Sequence, residues 1–209
     1  MYPLKPYYSI IVFKRVFELF LVLIGLILIL PIWIIISIVI VINSGFPIFF
    51  RQTRVGKDGK NFRLLKFRTM RSNKTSAKGS FDAGDTSRVT AEGSFLRRTK
   101  LDELPQLVNV LVGEMSLVGP RPEVRQWVNA YPEKWRVIHK VKPGITDNAS
   151  ILFRNEEEIL ASSIEPEETY RNIILPKKLS LYLEYVKTQS LAQDCQIIFK
   201  TLLILIRKK

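Results

Sequence analysis

Two adjacent carboxylates, Asp102 and Glu103, follow the basic pair Arg97 and Arg98 at a predicted helix start. The dipole of a helix and nearby arginines both favour the ionised form of a carboxyl group. An ionised aspartate can attack phosphorus or carbon as a nucleophile, and its glutamate neighbour could hold a divalent cation. Carboxylates at helix starts also serve as caps, which is their more routine role. The pair is therefore a candidate catalytic site, and the alternative is that the two carboxylates only cap the helix.

Several basic and polar residues could bind phosphate beside this pair. Arginine side chains present planar forks that match phosphate oxygens. Mg²⁺ bound by carboxylates and by substrate phosphates is a common means of neutralising a pyrophosphate. These features indicate a phosphate-bearing substrate. The candidates beyond the pair are Arg97, Arg98, Gln106, Arg121 between two prolines, and Lys66 and Arg68 on a predicted strand.

The uncharged run Leu19–Ile42 contains 24 residues and is divided by Pro31. As one straight helix it would reach about 36 Å, which is enough to cross a bilayer. Proline removes a backbone donor and clashes with the carbonyl four residues earlier, so we expect a kink there, and each half of the run is too short to span alone. Basic residues flank both ends, and positive residues prefer the cytoplasmic side. A helix–break–helix hairpin that re-enters on one side and a single kinked crossing are both compatible with this pattern.

The chain has 209 residues and a formal net charge of +13. Ten Lys or Arg and one acid lie between Arg51 and Lys78, directly after the apolar run, where anionic lipid head groups explain them. Nucleic acid is disfavoured as a partner because the sequence carries no recognisable nucleic-acid-binding motif. Cys195 and His139 are the only residues of their types, which excludes a disulfide framework and a multi-histidine metal site and fits a reducing, cytoplasmic setting.

The predicted elements give an α+β fold that is mostly helical. Pro47–Val55 and Asn61–Thr69 flank a Gly-Lys-Asp-Gly turn and predict a β-hairpin. Ser94 is a candidate helix cap, and a second helix is predicted from Asp102 to Leu111. Ser72–Thr90 is predicted to be a mobile surface loop. Further helices are predicted over Glu123–Ala130, Pro132–Lys140, Leu179–Lys187 and Ala192–Arg207.

Three segments follow from these elements: a re-entrant membrane hairpin over residues 1–46, a helical cytoplasmic catalytic domain over 47–190, and an amphipathic helix over 191–209. The last segment is apolar with a basic end and is too short to span a bilayer, so it is expected to lie in the membrane interface. Packing against the domain core is its alternative. The second predicted helix carries one apolar stripe that is expected to face the protein core. Its members are Leu101, Leu104, Val108 and Leu111.

Five motifs, in order, make the chain similar to one family. The chain resembles the bacterial sugar transferases, or monotopic phosphoglycosyl transferases, over roughly residues 10–200. The matching motifs are Phe50-Arg51-Gln52-Thr53-Arg54-Val55-Gly56, Lys66-Phe67-Arg68-Thr69-Met70, Leu96-Arg97-Arg98-Thr99-Lys100-Leu101-Asp102-Glu103-Leu104-Pro105-Gln106, Gly113-Glu114-Met115-Ser116-Leu117-Val118-Gly119-Pro120-Arg121-Pro122-Glu123 and Lys142-Pro143-Gly144-Ile145-Thr146.

The resemblance implies transfer of a sugar 1-phosphate from a UDP-sugar to undecaprenyl phosphate, with release of UMP and a need for Mg²⁺. It implies that Asp102 is the nucleophile of a covalent phosphosugar intermediate and that Glu103 supports it, the two together forming the metal site. It associates Pro120-Arg121-Pro122 with the nucleotide and Pro31 with the break in a re-entrant helix. The expected location is the cytoplasmic face of a bacterial inner membrane, with the bilayer as a partner, at the first membrane step of exopolysaccharide, lipopolysaccharide or other glycoconjugate assembly.

The sequence departs from the family pattern at Asp147-Asn148-Ala149, where many members carry Gly-Trp-Ala. That difference bears on the choice of sugar. Larger members also carry a multi-span N-terminal domain, so this chain is expected to be the minimal catalytic unit, with homo-oligomerisation open. The alternatives to the phosphoglycosyl transferase are a glycosyltransferase that releases UDP and a membrane-anchored, lipid-binding scaffold without activity.

Overall fold

The computed structural model of the chain describes residues 7–71 and 87–206. Most of the predicted loop Ser72–Thr90 and the end of the last predicted helix at Arg207 lie outside these described residues. The described chain is mostly helical and contains two small two-stranded sheets, as expected for the predicted fold class.

The N-terminal helix α1 runs without interruption over Tyr7–Ser44, with Pro31 inside it. The predicted division into two short helices is therefore wrong at the level of backbone structure. Proline removes one backbone hydrogen bond from a helix, but the remaining hydrogen bonds of this long apolar helix keep the residues on both sides of Pro31 helical. The helix ends where Gly45 adopts a φ of 70° and donates from its N to the Val41 carbonyl at 3.0 Å. A re-entrant path for this helix in a membrane stays a prediction.

The predicted hairpin is confirmed as strands β1, Phe49–Val55, and β2, Asn61–Phe67. The strands pair antiparallel, and a 3₁₀ turn over Lys57–Gly59 joins them. Asp58 and Gly59 in that turn both have positive φ angles, which matches the Asp-Gly signal in the sequence.

Helix α2 covers Ala91–Thr99 and begins earlier than predicted. Its cap is Thr90, whose hydroxyl accepts from Gly93 N at 3.0 Å, so the predicted cap at Ser94 is wrong. Next, the predicted helix Asp102–Leu111 is divided into a 3₁₀ turn, Leu101–Glu103, and helix α3, Gln106–Leu111. Pro105 lies at the division because it has no N–H to donate to the preceding turn.

The apolar stripe predicted for this region is confirmed in part, since Leu101 and Leu104 pack as partly buried side chains against a core cluster. On α3 the buried side chains are those of Gln106, Asn109 and Val110, whereas Leu111 is 38% exposed. Buried polar side chains need partners inside the protein. Asn109 finds them on β2, since its amide donates to the Arg63 carbonyl at 2.8 Å and its Oδ1 accepts from Leu65 N at 3.0 Å.

A short parallel pair, which the sequence analysis did not anticipate, holds the loop that carries Arg121. Strand β3, Ser116–Val118, pairs with strand β4, Gly144–Thr146. The Gly144 amide donates to the Pro120 carbonyl at 3.0 Å. A Cβ atom on Gly144 would lie 2.1 Å from the Gly119 nitrogen, so the approach of the two backbones requires glycine.

The remaining helices other than the C-terminal one surround the largest apolar core, and the C-terminal helix packs through Ile197 against Val118 and Tyr185. Trp127, Trp135, Leu175, Leu179 and Tyr182 are among its buried members. All four predicted helices in this part are found with shifted ends. The elements are α4 (Arg125–Ala130), α5 (Pro132–Ile138), α6 (Asn148–Leu152), α7 (Glu156–Ala161), α8 (Pro166–Thr169) followed by a π-helical turn (Tyr170–Ile174), α9 (Leu175–Thr188) and α10 (Leu191–Ile206).

Helix α1 packs on this domain along one stripe and exposes apolar side chains elsewhere. Val22 packs with Val110 and Met115, and Ile36 and Ile40 pack with Phe67 and Leu96. The segment Val12–Ser44 is long and apolar enough to cross a membrane by length and composition. Its exposed apolar side chains form a surface that water does not favour. The division into domains at residues 46 and 190 stays a prediction.

Candidate active site

Asp102 and Glu103 lie in the 3₁₀ turn between α2 and α3, and strand β2 brings Lys66 to them. The Lys66 ammonium lies 2.8 Å from Glu103 Oε1 and 3.9 Å from Asp102 Oδ2. Both carboxylates are largely withdrawn from solvent, with side-chain exposures of 8% for Asp102 and 11% for Glu103. The structure thus brings the predicted catalytic pair and one predicted phosphate-binding cation into a single cluster.

Arg121 completes the cluster from the loop between β3 and α4. Its Nη1 donates to Glu103 Oε2 at 3.1 Å, and its Nη2 donates to Glu103 Oε1, which forms a two-pronged pair. Pro120 and Pro122 on either side are buried and restrict the backbone that presents this side chain. Burial raises the pKa of Glu103, but the charges of Arg121 and Lys66 outweigh burial and hold that pKa well below its usual range. Glu103 is therefore a fixed anion.

Asp102 has a different environment although it is the next residue. Burial, assisted by the charge of Glu103, raises the pKa of Asp102 in spite of the opposing charge of Lys66. Its Oδ1 atom is buried and has no hydrogen-bond partner among the described residues. A buried acceptor without a donor is costly, and such exceptions concentrate at functional sites. Asp102 thus offers a reactive oxygen that the protein does not occupy.

Gln106, one helical turn after Asp102, supplies an unused donor. Its side chain is 1% exposed, and its Nε2 has no hydrogen-bond partner among the described residues. An amide nitrogen in this state can donate to a substrate oxygen. Substrate binding by Gln106 stays a prediction.

The three other predicted arginines lie in different surroundings. Arg68 is buried and donates to the Ser44 carbonyl at 2.7 Å and the Phe46 carbonyl at 3.2 Å, so it caps the end of α1. Arg97 donates from Nε to Thr69 Oγ1 at 3.0 Å and lies 3.8 Å from Glu157. Arg98 is exposed on α2. These contacts give Arg68 a structural role, while substrate contacts by Arg97 and Arg98 stay predictions.

The carboxylates fit a Mg²⁺ ion only in part. No group of three His, Cys, Asp or Glu suited to a metal occurs in the chain as described over 7–71 and 87–206. Both oxygens of Glu103 are engaged by cations, whereas Asp102 Oδ1 is open. Mg²⁺ commonly takes one or two carboxylates and completes its shell with substrate phosphates and water. The donor set therefore fits a Mg²⁺ that arrives with a phosphorylated substrate.

Two polar positions that were not predicted as site residues also border the cluster: Lys100, and Asp147, which was noted only as a departure from the family pattern. Lys100 immediately precedes the 3₁₀ turn, and its charge acts on both Asp102 and Glu103. Asp147 caps α6 through hydrogen bonds from Ala149 N at 2.6 Å and Ser150 N at 3.0 Å, and its charge acts on Arg121. Lys100 lies inside one of the family motifs and Asp147 directly follows another, and this position was the signal in the sequence that could have identified them.

Comparison with known proteins gives one consistent family. Residues 9–208 match the sequence pattern of the family described as "Bacterial sugar transferase". The chain is 38% identical over 196 residues to the UDP-glucose:undecaprenyl-phosphate glucose-1-phosphate transferase of Escherichia coli (strain K12), a match that covers 90% of this chain and 39% of that protein. The chain thus spans about two-fifths of that relative's length.

Two further relatives agree. The UDP-N-acetylgalactosamine-undecaprenyl-phosphate N-acetylgalactosaminephosphotransferase of Aeromonas hydrophila is 33% identical over 95% of this chain and 44% of its own length. The exopolysaccharide production protein ExoY of Sinorhizobium fredii (strain NBRC 101917 / NGR234) is 31% identical over 90% of this chain and 83% of its own length. The family match includes all of the residues that build the cluster around Asp102, and the chain belongs to the bacterial sugar transferase family.

Proposed function

We propose that this protein transfers a sugar 1-phosphate from a UDP-sugar to undecaprenyl phosphate and releases UMP. The observation that carries the proposal is the unpartnered, buried Oδ1 of Asp102 beside a Glu103 that Lys66 and Arg121 hold ionised. The names of the E. coli and A. hydrophila relatives support undecaprenyl phosphate as the acceptor and a UDP-sugar as the donor.

The proposed reaction has two displacements at one phosphorus atom. In the first, Asp102 Oδ1 attacks the phosphorus attached to the sugar, the bond from that phosphorus to the oxygen of UMP breaks, and UMP leaves with that oxygen. In the second, a phosphate oxygen of undecaprenyl phosphate attacks the same phosphorus. The aspartyl bond then breaks, which frees the Asp102 carboxylate and gives the polyprenyl diphosphate sugar.

The surrounding residues divide the work of this mechanism. Lys66 and Arg121 fix Glu103, and their positive charges face the region where phosphate charge accumulates. The Gln106 amide can donate to an oxygen on the reacting phosphorus. A bound Mg²⁺ would supply further neutralisation of the diphosphate, with Asp102 and Glu103 as its protein neighbours. Asp102 must be ionised to attack, so the cations near it are part of the catalytic arrangement.

We further infer that α1 is re-entrant and that the protein lies on the cytoplasmic face of a bacterial inner membrane. Both ends of α1 contact the same domain: Lys14 Nζ lies 2.8 Å from Asp194 Oδ2, and Ser44 Oγ donates to Glu92. Between them, Ile27 and Leu28 are 73% and 70% exposed. A helix held at both ends by one domain while its middle is exposed supports entry into the bilayer from one side.

The C-terminal helix adds apolar surface to the proposed membrane contact. Phe199, Leu202 and Leu205 on α10 are exposed. Apolar side chains at i, i+3 and i+6 follow one side of a helix and suit insertion among lipid head groups. This placement would keep a polyprenol tail in lipid while its phosphate reaches the cluster. The acceptor phosphate would then be held close to the site where the soluble donor binds.

The first test is nucleotide release by Asp102→Asn. Purified protein would be given Mg²⁺, undecaprenyl phosphate and a panel of UDP-sugars, and UMP and UDP would be separated by chromatography. The wild-type protein should release UMP with one or two sugars, and Asp102→Asn should lower the rate at least about 10³-fold because the nucleophile is lost. Asp58→Asn is the matched control, since Asp58 is exposed in the hairpin turn.

Three results would contradict the proposal. Release of UDP would identify a glycosyltransferase that cleaves the anomeric bond. UMP release that survives Asp102→Asn would remove the covalent step. An absence of release with every sugar would favour the scaffold without activity.

A further inference from the structure

Lys100 is an exposed cation beside the catalytic pair that the proposed mechanism leaves unused. Its side chain makes no hydrogen bond or ion pair with the residues described in 7–71 and 87–206. The two cations that touch the pair are committed, since Lys66 and Arg121 both bind Glu103. Arg68 is likewise committed to backbone carbonyls at the end of α1. Lys100 thus differs from these neighbours in keeping its ammonium available.

The backbone at Lys100 does not explain why a lysine stands there. Its φ of 60° and ψ of 15° are left-handed. This conformation ends α2, with Lys100 N donating to the Arg97 carbonyl at 3.1 Å, and starts the next turn, with Glu103 N donating to the Lys100 carbonyl at 3.2 Å. Glycine and asparagine adopt it at lower cost. A lysine in this position is an outlier that points to a use for its side chain.

The charge balance of the cluster indicates what the Lys100 side chain could do. A donor diphosphate brings negative charge toward two carboxylates, and like charges repel most strongly where water is excluded. The two positive charges of Lys66 and Arg121 are matched by the two carboxylates of Asp102 and Glu103. Lys100 precedes Asp102 by two residues and belongs to the turn that presents it. Burial raises the pKa of Asp102, and the charge of Lys100, like that of Lys66, opposes this rise.

We propose that Lys100 binds a phosphate group of the substrate at the entrance to the Asp102–Glu103 cluster. The proposal rests on the proposed function, because it takes the ligand from that reaction. The donor's diphosphate and the acceptor's monophosphate share the chemistry that an ammonium recognises, and the ammonium on its four-carbon stem can follow a phosphate as it moves. In this role Lys100 is a binding residue rather than part of the nucleophilic apparatus.

The test compares Lys100→Gly, Lys100→Arg and Lys140→Ala in the full chain reconstituted into lipid nanodiscs. Glycine removes the charge and relieves the left-handed backbone, whereas arginine keeps the charge. Lys140 is an exposed lysine after α5 and controls for the loss of one surface charge. The measurements are the melting temperature and the dissociation constants for UDP and for farnesyl phosphate in the presence of Mg²⁺. UDP reports the donor side, and farnesyl phosphate reports the acceptor side.

We expect Lys100→Gly to keep or raise the melting temperature while weakening at least one probe about tenfold, with Lys100→Arg within about threefold of wild type and Lys140→Ala unchanged. Weakening of UDP alone assigns Lys100 to the donor, and weakening of farnesyl phosphate alone assigns it to the acceptor. Unchanged affinities for both probes in Lys100→Gly, or a loss that Lys100→Arg shares equally, would overturn the proposal and leave the proposed function intact. A wild-type protein that binds neither probe would overturn both.

Discussion

Asp102 and Glu103 are neighbours in the chain, yet their surroundings shift their pKa values in opposite directions. Pairs of titratable groups that are separated in this way commonly divide acid, base and nucleophilic roles. Glu103 gains two cations from distant parts of the sequence, Lys66 on β2 and Arg121 after β3. Asp102 keeps one buried oxygen without a donor. The asymmetry favours Asp102 as the nucleophile and Glu103 as the charged support.

Removal of the Lys66 charge should move the pH dependence of the reaction. The charge of Lys66 opposes the burial that raises the pKa of Asp102, so Lys66→Met should raise that pKa further. Because the carboxylate form attacks, activity falls as the pH drops through this pKa, and the acidic limb of the pH profile should shift to higher pH. We also expect roughly tenfold to a hundredfold lower activity at pH 7.

Initial rates of UMP release between pH 5 and pH 9 would measure this shift, with Lys60→Met as a control for an exposed lysine in the same hairpin. An acidic limb that stays in place, or that moves to lower pH, would be inconsistent with an ionised Asp102 near Lys66.

At this scale the sequence predicted residue types well and their partners less well. The candidate pair Asp102–Glu103, Lys66 and Arg121 were singled out from their motifs, and the structure brings their side chains together. The role of Arg68 was not found, because a basic residue on a strand gives no local sign that the end of a distant helix needs its guanidinium. Arg121 and Glu103 are 18 residues apart, and a motif alone cannot indicate that their side chains meet.

At the scale of the element, local patterns predicted the helices and the hairpin, and tertiary contacts decided their ends. The Gly-Lys-Asp-Gly turn between segments with β-branched and aromatic residues was sufficient for β1 and β2. The parallel pair of β3 and β4 was missed because each strand has three residues and the pairing joins distant segments. Likewise, periodicity assigned Leu111 to the core, whereas the fold exposes Leu111 and buries Gln106 and Asn109, the latter against β2.

Gly144→Ala tests whether this parallel pair positions Arg121. The new Cβ would meet backbone atoms of Gly119 at 2.1 to 2.7 Å, and backbone atoms can only yield if the strands separate. We expect a loss of about 2 kcal/mol or more in the free energy of unfolding. UMP release should also fall, since Pro120 and Arg121 would move with the strand.

Gly25→Ala is the matched control, because a Cβ there meets nothing within 4 Å and alanine favours a helix. Thermal unfolding in detergent and UMP release would be measured on the same preparations. A Gly144→Ala variant with wild-type stability and activity would show that the strand pair does not control the site.

At the scale of the whole molecule, polar contacts connect both ends of α1 to the domain. Lys14 forms an ion pair with Asp194 of α10 and contacts the Tyr185 hydroxyl at 3.1 Å, and that hydroxyl donates to Asp194 at 2.7 Å. The sequence placed Lys14 in a basic flank of the apolar run that was expected on the cytoplasmic side, and the fold pairs it with Asp194. Composition could predict an apolar helix, and only the fold reveals that its two ends share one domain.

The side of the membrane on which each end of α1 lies is therefore the decisive prediction at this scale. Single cysteines would replace Val12 and Asn43 at the two ends of the exposed surface, in a Cys195→Ser background, with Lys134→Cys as a reporter of the domain itself. A membrane-impermeant maleimide would be applied to intact spheroplasts and to permeabilised ones. A re-entrant α1 should leave all three positions unlabelled until the membrane is permeabilised, because both ends follow the domain to the cytoplasmic side.

A spanning α1 gives the opposite pattern, in which one end is labelled in intact spheroplasts and the other is not. It would also require the Lys14–Asp194 pair to break, leaving a largely buried carboxylate without its cation, which typically costs about 3 to 5 kcal/mol. Asp194→Asn removes that penalty without changing the length of α1. If the labelling pattern is the same with and without Asp194→Asn, the exposed apolar middle of α1 and its other domain contacts are sufficient to hold the re-entrant form.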